Sequence, residues 1–179
     1  PTPEPAGSEV LVRVTACGIC HSDLHIHAGY FDLGGGRQLR IEERGISLPF
    51  TMGHEVVGRV EKLGPAATGV EVGREYIVYP WIGCGGCAAC RRGEELLCLK
   101  PRIIGTWVHG GYADYVLVPH PRYLVAFDRI PREVAATYAC SGITAWSALN
   151  KTGIARPDQT LLLIGVGGVG MNALHLAPN

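Results

Sequence analysis

Four cysteines, Cys84, Cys87, Cys90 and Cys98, follow one another as Cys-x-x-Cys-x-x-Cys with seven residues before the fourth. No other stretch limits the fold as strongly. Four thiolates at this spacing suit a closed tetrahedral zinc site, and the flanking glycines let the backbone wrap an ion. A closed site leaves no position for a reactant, so its role is structural. Metal binding of this kind contributes on the order of 10 kcal/mol or more to ordering a small lobe that lacks its own core. Unmetallated or disulfide-linked thiols are the alternative. The chain holds seven cysteines, an odd number, and no secretion signal accompanies them, which favours reduced thiols.

At 179 residues the chain is long enough for one domain and part of another. Its 47% hydrophobic and 18% charged residues suit a globular protein rather than a disordered one. The formal net charge of +0 gives no basic footprint for nucleic acid or for an acidic membrane surface. No apolar run reaches the roughly 18 residues of a membrane-spanning helix, and Pro1-Thr2-Pro3-Glu4-Pro5 does not read as a signal peptide. We therefore expect a cytoplasmic protein with no nucleic-acid or membrane partner. The Pro-rich start without methionine, and an end at His175-Leu176-Ala177-Pro178-Asn179 inside a helical pattern, lead us to expect a fragment.

Along the chain, Val10, Val12 and Val14 alternate with Leu11, Arg13 and Thr15 as in a strand, which delivers the stretch Cys17-Gly18-Ile19-Cys20-His21-Ser22-Asp23-Leu24-His25 at its far end. Two thiols, two imidazoles, a hydroxyl and a carboxylate within nine residues make metal ligation and proton transfer possible there. Residues 28–49, with Gly34-Gly35-Gly36, read as a surface excursion with a short helix. A Val-rich strand follows, with His54 and Glu55 at its entrance, and Tyr76–Tyr79 and 115–118 read as further strands, as does 123–125. A helix opened by Pro131 runs to Cys140 and is broken at Ser141-Gly142; a second runs from Ile143 to Asn150 and closes at Gly153. Alone, His54 reads as a hydrogen-bonded core histidine and Cys140 as a small apolar filler. The alternative is that both join Cys20 as ligands of a catalytic zinc, which keeps one position open.

The final stretch, Thr160-Leu161-Leu162-Leu163-Ile164, reads as a strand buried on both faces, followed by Gly165-x-Gly167-Gly168-Val169-Gly170 and a helix. In that context the glycines make a tight turn and admit a dinucleotide pyrophosphate to the helix N-terminus.

Taken together these residues closely resemble the medium-chain, zinc-dependent alcohol dehydrogenases. The resemblance rests on Cys-Gly-Ile-Cys-His-Ser-Asp at 17–23, Gly-His-Glu at 53–55, the four-cysteine lobe, Cys140 and the glycine turn, in the family's order. It implies a mixed β and α/β fold: a chaperonin-10-like (GroES-like) β-barrel catalytic domain over 1–141, with a structural zinc lobe at about 81–102, then the first βα unit of a Rossmann fold over 142–179. It implies two zinc ions per subunit, held by Cys20, His54 and Cys140 and by the four lobe cysteines, and NAD or NADP as coenzyme, with NAD favoured. Ser22 matches the hydroxyl that meets the substrate oxygen, and His25 the imidazole that passes the proton outward. His21 matches a residue near the coenzyme pyrophosphate, Asp23 the carboxylate that orients His54, and Glu55 the acidic neighbour behind the metal. Gly165, Gly167, Gly168, Val169 and Gly170 match the coenzyme turn, and Cys17 is a packed free thiol. The expected activity is hydride transfer between a primary or secondary alcohol and NAD(P), with the aldehyde or ketone as product and a homodimeric or homotetrameric parent. An enone or aromatic-aldehyde reductase of the same superfamily and a non-catalytic zinc-binding fragment are the rival readings. Trp81 and Trp107 line the substrate cleft or belong to the core.

Overall fold

The computed structural model describes residues 2–153 and 158–177; Pro1 of the lead and Pro178 and Asn179 of the final stretch lie outside the described residues. The alternating valines form β1 (Val10–Gly18) as expected. A helix, α1 (His21–Ala28), follows and ends at Gly29, whose φ of 85° is one that side chains avoid. The expected excursion is a hairpin instead, β2 (Tyr30–Gly34) and β3 (Arg37–Arg40), followed by a 3-10 turn at Glu42–Arg44. Its tip is the triple glycine, with φ of 77°, 60° and 77° at Gly34, Gly35 and Gly36. Three consecutive left-handed positions reverse a chain that the same glycines were expected to keep irregular.

Next come β4 (Glu55–Leu63), β5 (Glu75–Val78), the short α2 (Ala88–Arg91), β6 (Tyr115–Val118) and β7 (Leu124–Val125). Helix α3 (Arg132–Thr137) continues through a π-helical turn, Tyr138–Gly142, into α4 (Ile143–Thr152), and α5 (Gly168–Leu176) is the last element. The break expected at Ser141-Gly142 is therefore an insertion: the widened turn keeps the helix going and re-aims its side chains.

Five strands form one antiparallel sheet in the order β6-β1-β4-β5-β7. The sheet curls about a single cluster to which every strand contributes, from Val10 and Val12 through Val56, Val60 and Val78 to Val116, Val118 and Leu124. Its other face, at Val57 and Ile77, carries the small residues Ala135, Ala136 and Ala139 of the α3 segment. Valines on both faces explain why β1 and β4 are apolar almost without alternation at their buried ends. The β1–β4 ladder ends at Gly18↔Glu55, which brings the chain around Cys20 beside His54.

Residues 160–166 precede α5 without joining a ladder, and Leu162, Ile164 and Val166 are exposed. The burial on both faces expected from this apolar run is not found, because a buried strand needs neighbours and no described segment pairs with it.

Candidate metal centres and coenzyme turn

The four lobe thiols converge, with all Sγ atoms within 4.8 Å of one another. Three of the separations are 3.4 Å (Cys87–Cys90), 3.9 Å (Cys87–Cys98) and 4.0 Å (Cys84–Cys90). Bonds of about 2.3 Å in tetrahedral geometry place sulfurs about 3.8 Å apart, whereas a disulfide needs about 2.05 Å. The spacing fits a shared ion, and all four cysteines are free thiols. Backbone N–H groups already point at the sulfurs: Cys84 N to Cys98 Sγ at 3.3 Å, Lys100 N to Cys98 Sγ at 3.4 Å and Cys90 N to Cys87 Sγ at 3.5 Å. The N–H groups of Gly86 and Cys87 hold the Cys84 thiol down to about 6. Glu95 fastens the lobe to the sheet region, accepting from Gly83 N at 2.7 Å, Arg122 at 2.8 Å and Tyr123 Oη at 2.8 Å.

The second centre is assembled from three distant segments. Cys20 caps α1 after β1, His54 enters β4, and Cys140 sits on the π-helical turn packed behind the sheet. Their ligand atoms lie within 4.8 Å of one another, and Cys20 Sγ is 3.8 Å from Cys140 Sγ, again the separation a tetrahedral ion imposes. His54 is buried, yet neither ring nitrogen has a hydrogen-bond partner. Its Nδ1 faces Asp23 Oδ1 at 3.5 Å, too long for a tight hydrogen bond but close enough to orient the ring, which leaves Nε2 for a metal. An orphaned buried nitrogen beside two thiols is the chemistry of a divalent soft-metal site.

The electrostatics agree. A hydrogen bond from Cys140 outweighs burial and, helped by His54, holds Cys20 down to about 3; the same bond, with burial, pushes Cys140 up. Burial would lower His54, but Asp23 and Cys20 win and raise it to about 9. Burial would raise Asp23, but His54 and the N–H of Cys20 keep it lowered. The two shifts run in opposite directions, toward a thiolate at Cys20 and a proton on His54, and a metal must displace any proton its ligands hold in order to enter. Glu55 is buried behind the centre and burial raises it; burial likewise pushes Cys17 up to about 12, as suits a packed, unreactive thiol.

On α1, Ser22 and His25 are three residues apart and share a face, both half-buried. The His25 ring stacks on exposed His21, centroids 4.7 Å apart, and lies 5.0 Å from Phe31. His21 also reaches a cleft of about 490 Å³ whose other wall is Gly165, Gly167, Gly168, Val169 and Gly170, so the two groups of expected coenzyme residues face one space. Gly165 has φ of 94°, and a Cβ on Gly170 would stand 2.0 Å from Gly165 O, so this turn accepts only glycine at both positions. Trp81 and Trp107 share a second cleft, of about 410 Å³, with Arg44 and Leu99. Trp81 touches the metal side as well, its ring edge-on to His54 at 6.0 Å and its Nε1 donating to Ala139 O at 2.8 Å.

Two participants had gone unread in the sequence. Tyr112 Oη donates to Asp23 Oδ2 at 2.9 Å, and the Arg44 guanidinium lies between the rings of Phe31 and Trp107, 4.8 and 5.0 Å from their centroids. The glycine pair before Tyr112 was the available signal, since paired glycines mark a close backbone approach as well as a turn.

Comparison with known proteins agrees with this geometry. Residues 6–129 match the family model of the alcohol dehydrogenase GroES-like domain. The chain is 43% identical to an NAD-dependent alcohol dehydrogenase of Sulfurisphaera tokodaii over 99% of its own length and 50% of that protein's. It is 42% identical to the NAD-dependent alcohol dehydrogenase of Saccharolobus solfataricus, over 98% and 49%. The crystal structure of the Aeropyrum pernix alcohol dehydrogenase superposes with a TM-score of 0.81 at 33% identity, over 97% of this chain and 49% of that one. The chain belongs to the alcohol dehydrogenase family with a GroES-like domain. It spans about half the length of the curated relatives it matches. Among the described residues no helix is long and apolar enough to cross a membrane.

Proposed function

We propose that this chain is the metal-binding catalytic part, 1–141, and the opening of the coenzyme domain, 142–179, of an NAD-dependent, zinc-dependent alcohol dehydrogenase. The observation that carries the reading is the convergence of Cys20, His54 and Cys140 around one point, with Asp23 behind the histidine. Cys20, His54 and Cys140 would hold a catalytic zinc, and Cys84, Cys87, Cys90 and Cys98 a structural one. Bound zinc supplies a Lewis acid that polarises a substrate oxygen and eases loss of its proton.

The chain's own residues do the rest. Two thiolates and a neutral imidazole balance a divalent charge, and Asp23 fixes the imidazole plane. Ser22 would accept the alcohol proton at its hydroxyl oxygen as its own proton is passed on, and His25, on the same helical face, would take up the released proton and give it to solvent. His21 and the N–H groups at the start of α5 receive the coenzyme pyrophosphate, where the helix dipole favours negative charge. Trp81 and Trp107 shape an apolar wall that keeps water from the reacting carbon.

The test is direct. In the full-length parent, Cys20→Ala should lower NAD-linked oxidation of primary and secondary alcohols by about 1,000-fold or more, the equivalent of the several kcal/mol a Lewis acid provides. Undiminished turnover would refute the assignment.

A further inference from the structure

We propose that Tyr112 is a positioning residue of the Cys20/His54/Cys140 centre, acting on it through Asp23; the inference rests on reading those three residues as a metal centre. Asp23 orients His54 with one carboxylate oxygen, so the other must be held if the carboxylate plane is to stay fixed. Two donors meet that second oxygen: Cys20 N at 2.9 Å and Tyr112 Oη at 2.9 Å. The first belongs to the same helical turn as Asp23. The second comes from 89 residues away and, among the described residues, is the one long-range donor to Oδ2.

Gly18 O also lies 3.2 Å from Tyr112 Oη, but the hydroxyl has one proton. The nearer, charged acceptor takes it, since charge-assisted bonds are the shorter and stronger ones.

The backbone fixes the hydroxyl relative to His54 itself. Gly110 N donates to Thr51 O at 2.8 Å, Gly111 N to Gly53 O at 2.8 Å and Tyr112 N to Met52 O at 3.0 Å, so the Gly-Gly-Tyr segment is laid along the three residues that lead into His54. A Cβ on Gly110 would stand 2.3 Å from Gly53 O, and one on Gly53, whose φ is 95°, would stand 2.7 Å from the Tyr112 ring. These glycines permit the close approach that brings the phenol to a carboxylate whose other oxygen faces the imidazole. Tyr112 as a residue stays 39% exposed, so burial of apolar surface alone does not explain a tyrosine here; its hydroxyl does.

Cobalt(II) titration of the chain tests this, the two centres being separated by their thiolate-to-metal absorption, four thiolates against two. Wild-type chain should take up two ions. Tyr112→Phe should weaken the Cys20/His54/Cys140 centre about 10-fold or more and leave the four-cysteine centre unchanged, as expected for the loss of a partner outside the ligand set. Asp23→Asn should weaken the same centre at least as much, and the double variant no further than Asp23→Asn alone, because the tyrosine acts through the carboxylate. Wild-type affinity in Tyr112→Phe, or losses that multiply in the double variant, would overturn the inference. Uptake of a single ion by the wild-type chain, at the four cysteines, would overturn the metal-centre reading and this inference with it. Loss of both centres in Tyr112→Phe would report misfolding. Tyr112→His, which keeps a donor, then decides: recovery at the first centre supports the role, and loss there with the lobe intact refutes it.

Discussion

The two thiol clusters, read as the metal centres proposed above, would solve the same coordination problem by opposite means. The lobe draws all its sulfurs from residues 84–98, on short turns whose N–H groups support them, and it contributes little to the buried core. The other centre takes one residue each from α1's cap directly after β1, the entrance of β4 and the π-helical turn; β1 and β4 share a ladder, and the π-helical turn packs on the sheet through Ala139. Local ligands make a centre on which folding depends; distant ligands make a centre that the fold presents ready-made. The second kind alone can leave a position open without losing its shape, which is what chemistry at a metal requires.

The largest effect expected from this contrast is on the lobe. Cys98→Ser removes its one buried thiol, and metal binding worth on the order of 10 kcal/mol is then mostly lost. Limited proteolysis should cut between 84 and 98 while the sheet stays protected. Cys140→Ala should instead empty its centre with the proteolysis pattern unchanged, because α3 and the sheet keep their shared core. Cleavage spreading to the sheet in Cys140→Ala would erase the distinction.

The next effect is on pH dependence in the metal-stripped chain. His54 is raised from 6.5 to about 9, so the stability it contributes is present in full below pH 6.5 and is lost as pH rises through about 9. The amount is about 3 kcal/mol at most. Urea unfolding at pH 6 and pH 9.5 should show His54→Gln much less stable than the parent at the lower pH and nearly equal to it at the higher. Metal affinity at this centre runs the other way and climbs with pH, since entry displaces the same proton.

What could be read in the sequence follows the same division. The convergence of the lobe thiols was legible because the four cysteines are neighbours, and α3's start because Pro131 and Glu133 mark it locally. Cys20, His54 and Cys140 each have an ordinary reading alone; only the β1–β4 register and the packing of the π-helical turn bring them together. The hairpin at 30–40 was hidden because three glycines say that a chain turns, not that its flanks pair. The Tyr112–Asp23 bond was hidden for a different reason, since it spans 89 residues and depends on glycines whose function is proximity. Residues 160–166 show the converse: an apolar run states a preference for burial, and neighbours decide whether it is met.

The smallest effect separates the two carboxylates that attend the clusters. Asp23 faces His54 directly, whereas Glu95 binds Gly83, Arg122 and Tyr123 and holds the lobe against its surroundings. Its side chain is 17% exposed, and the partner Arg122 is 56% exposed, so the ion pair itself is worth little and the two other bonds carry most of the effect. Glu95→Gln keeps the shape and removes the charge, which should reduce stability by about 1–2 kcal/mol, a drop of a few degrees in Tm. Zinc content should remain at its wild-type value, because no sulfur depends on that carboxylate. Zinc loss in Glu95→Gln would mean that the lobe, too, is positioned from outside its own loop, and the division between a self-contained centre and a presented one would fail at that residue.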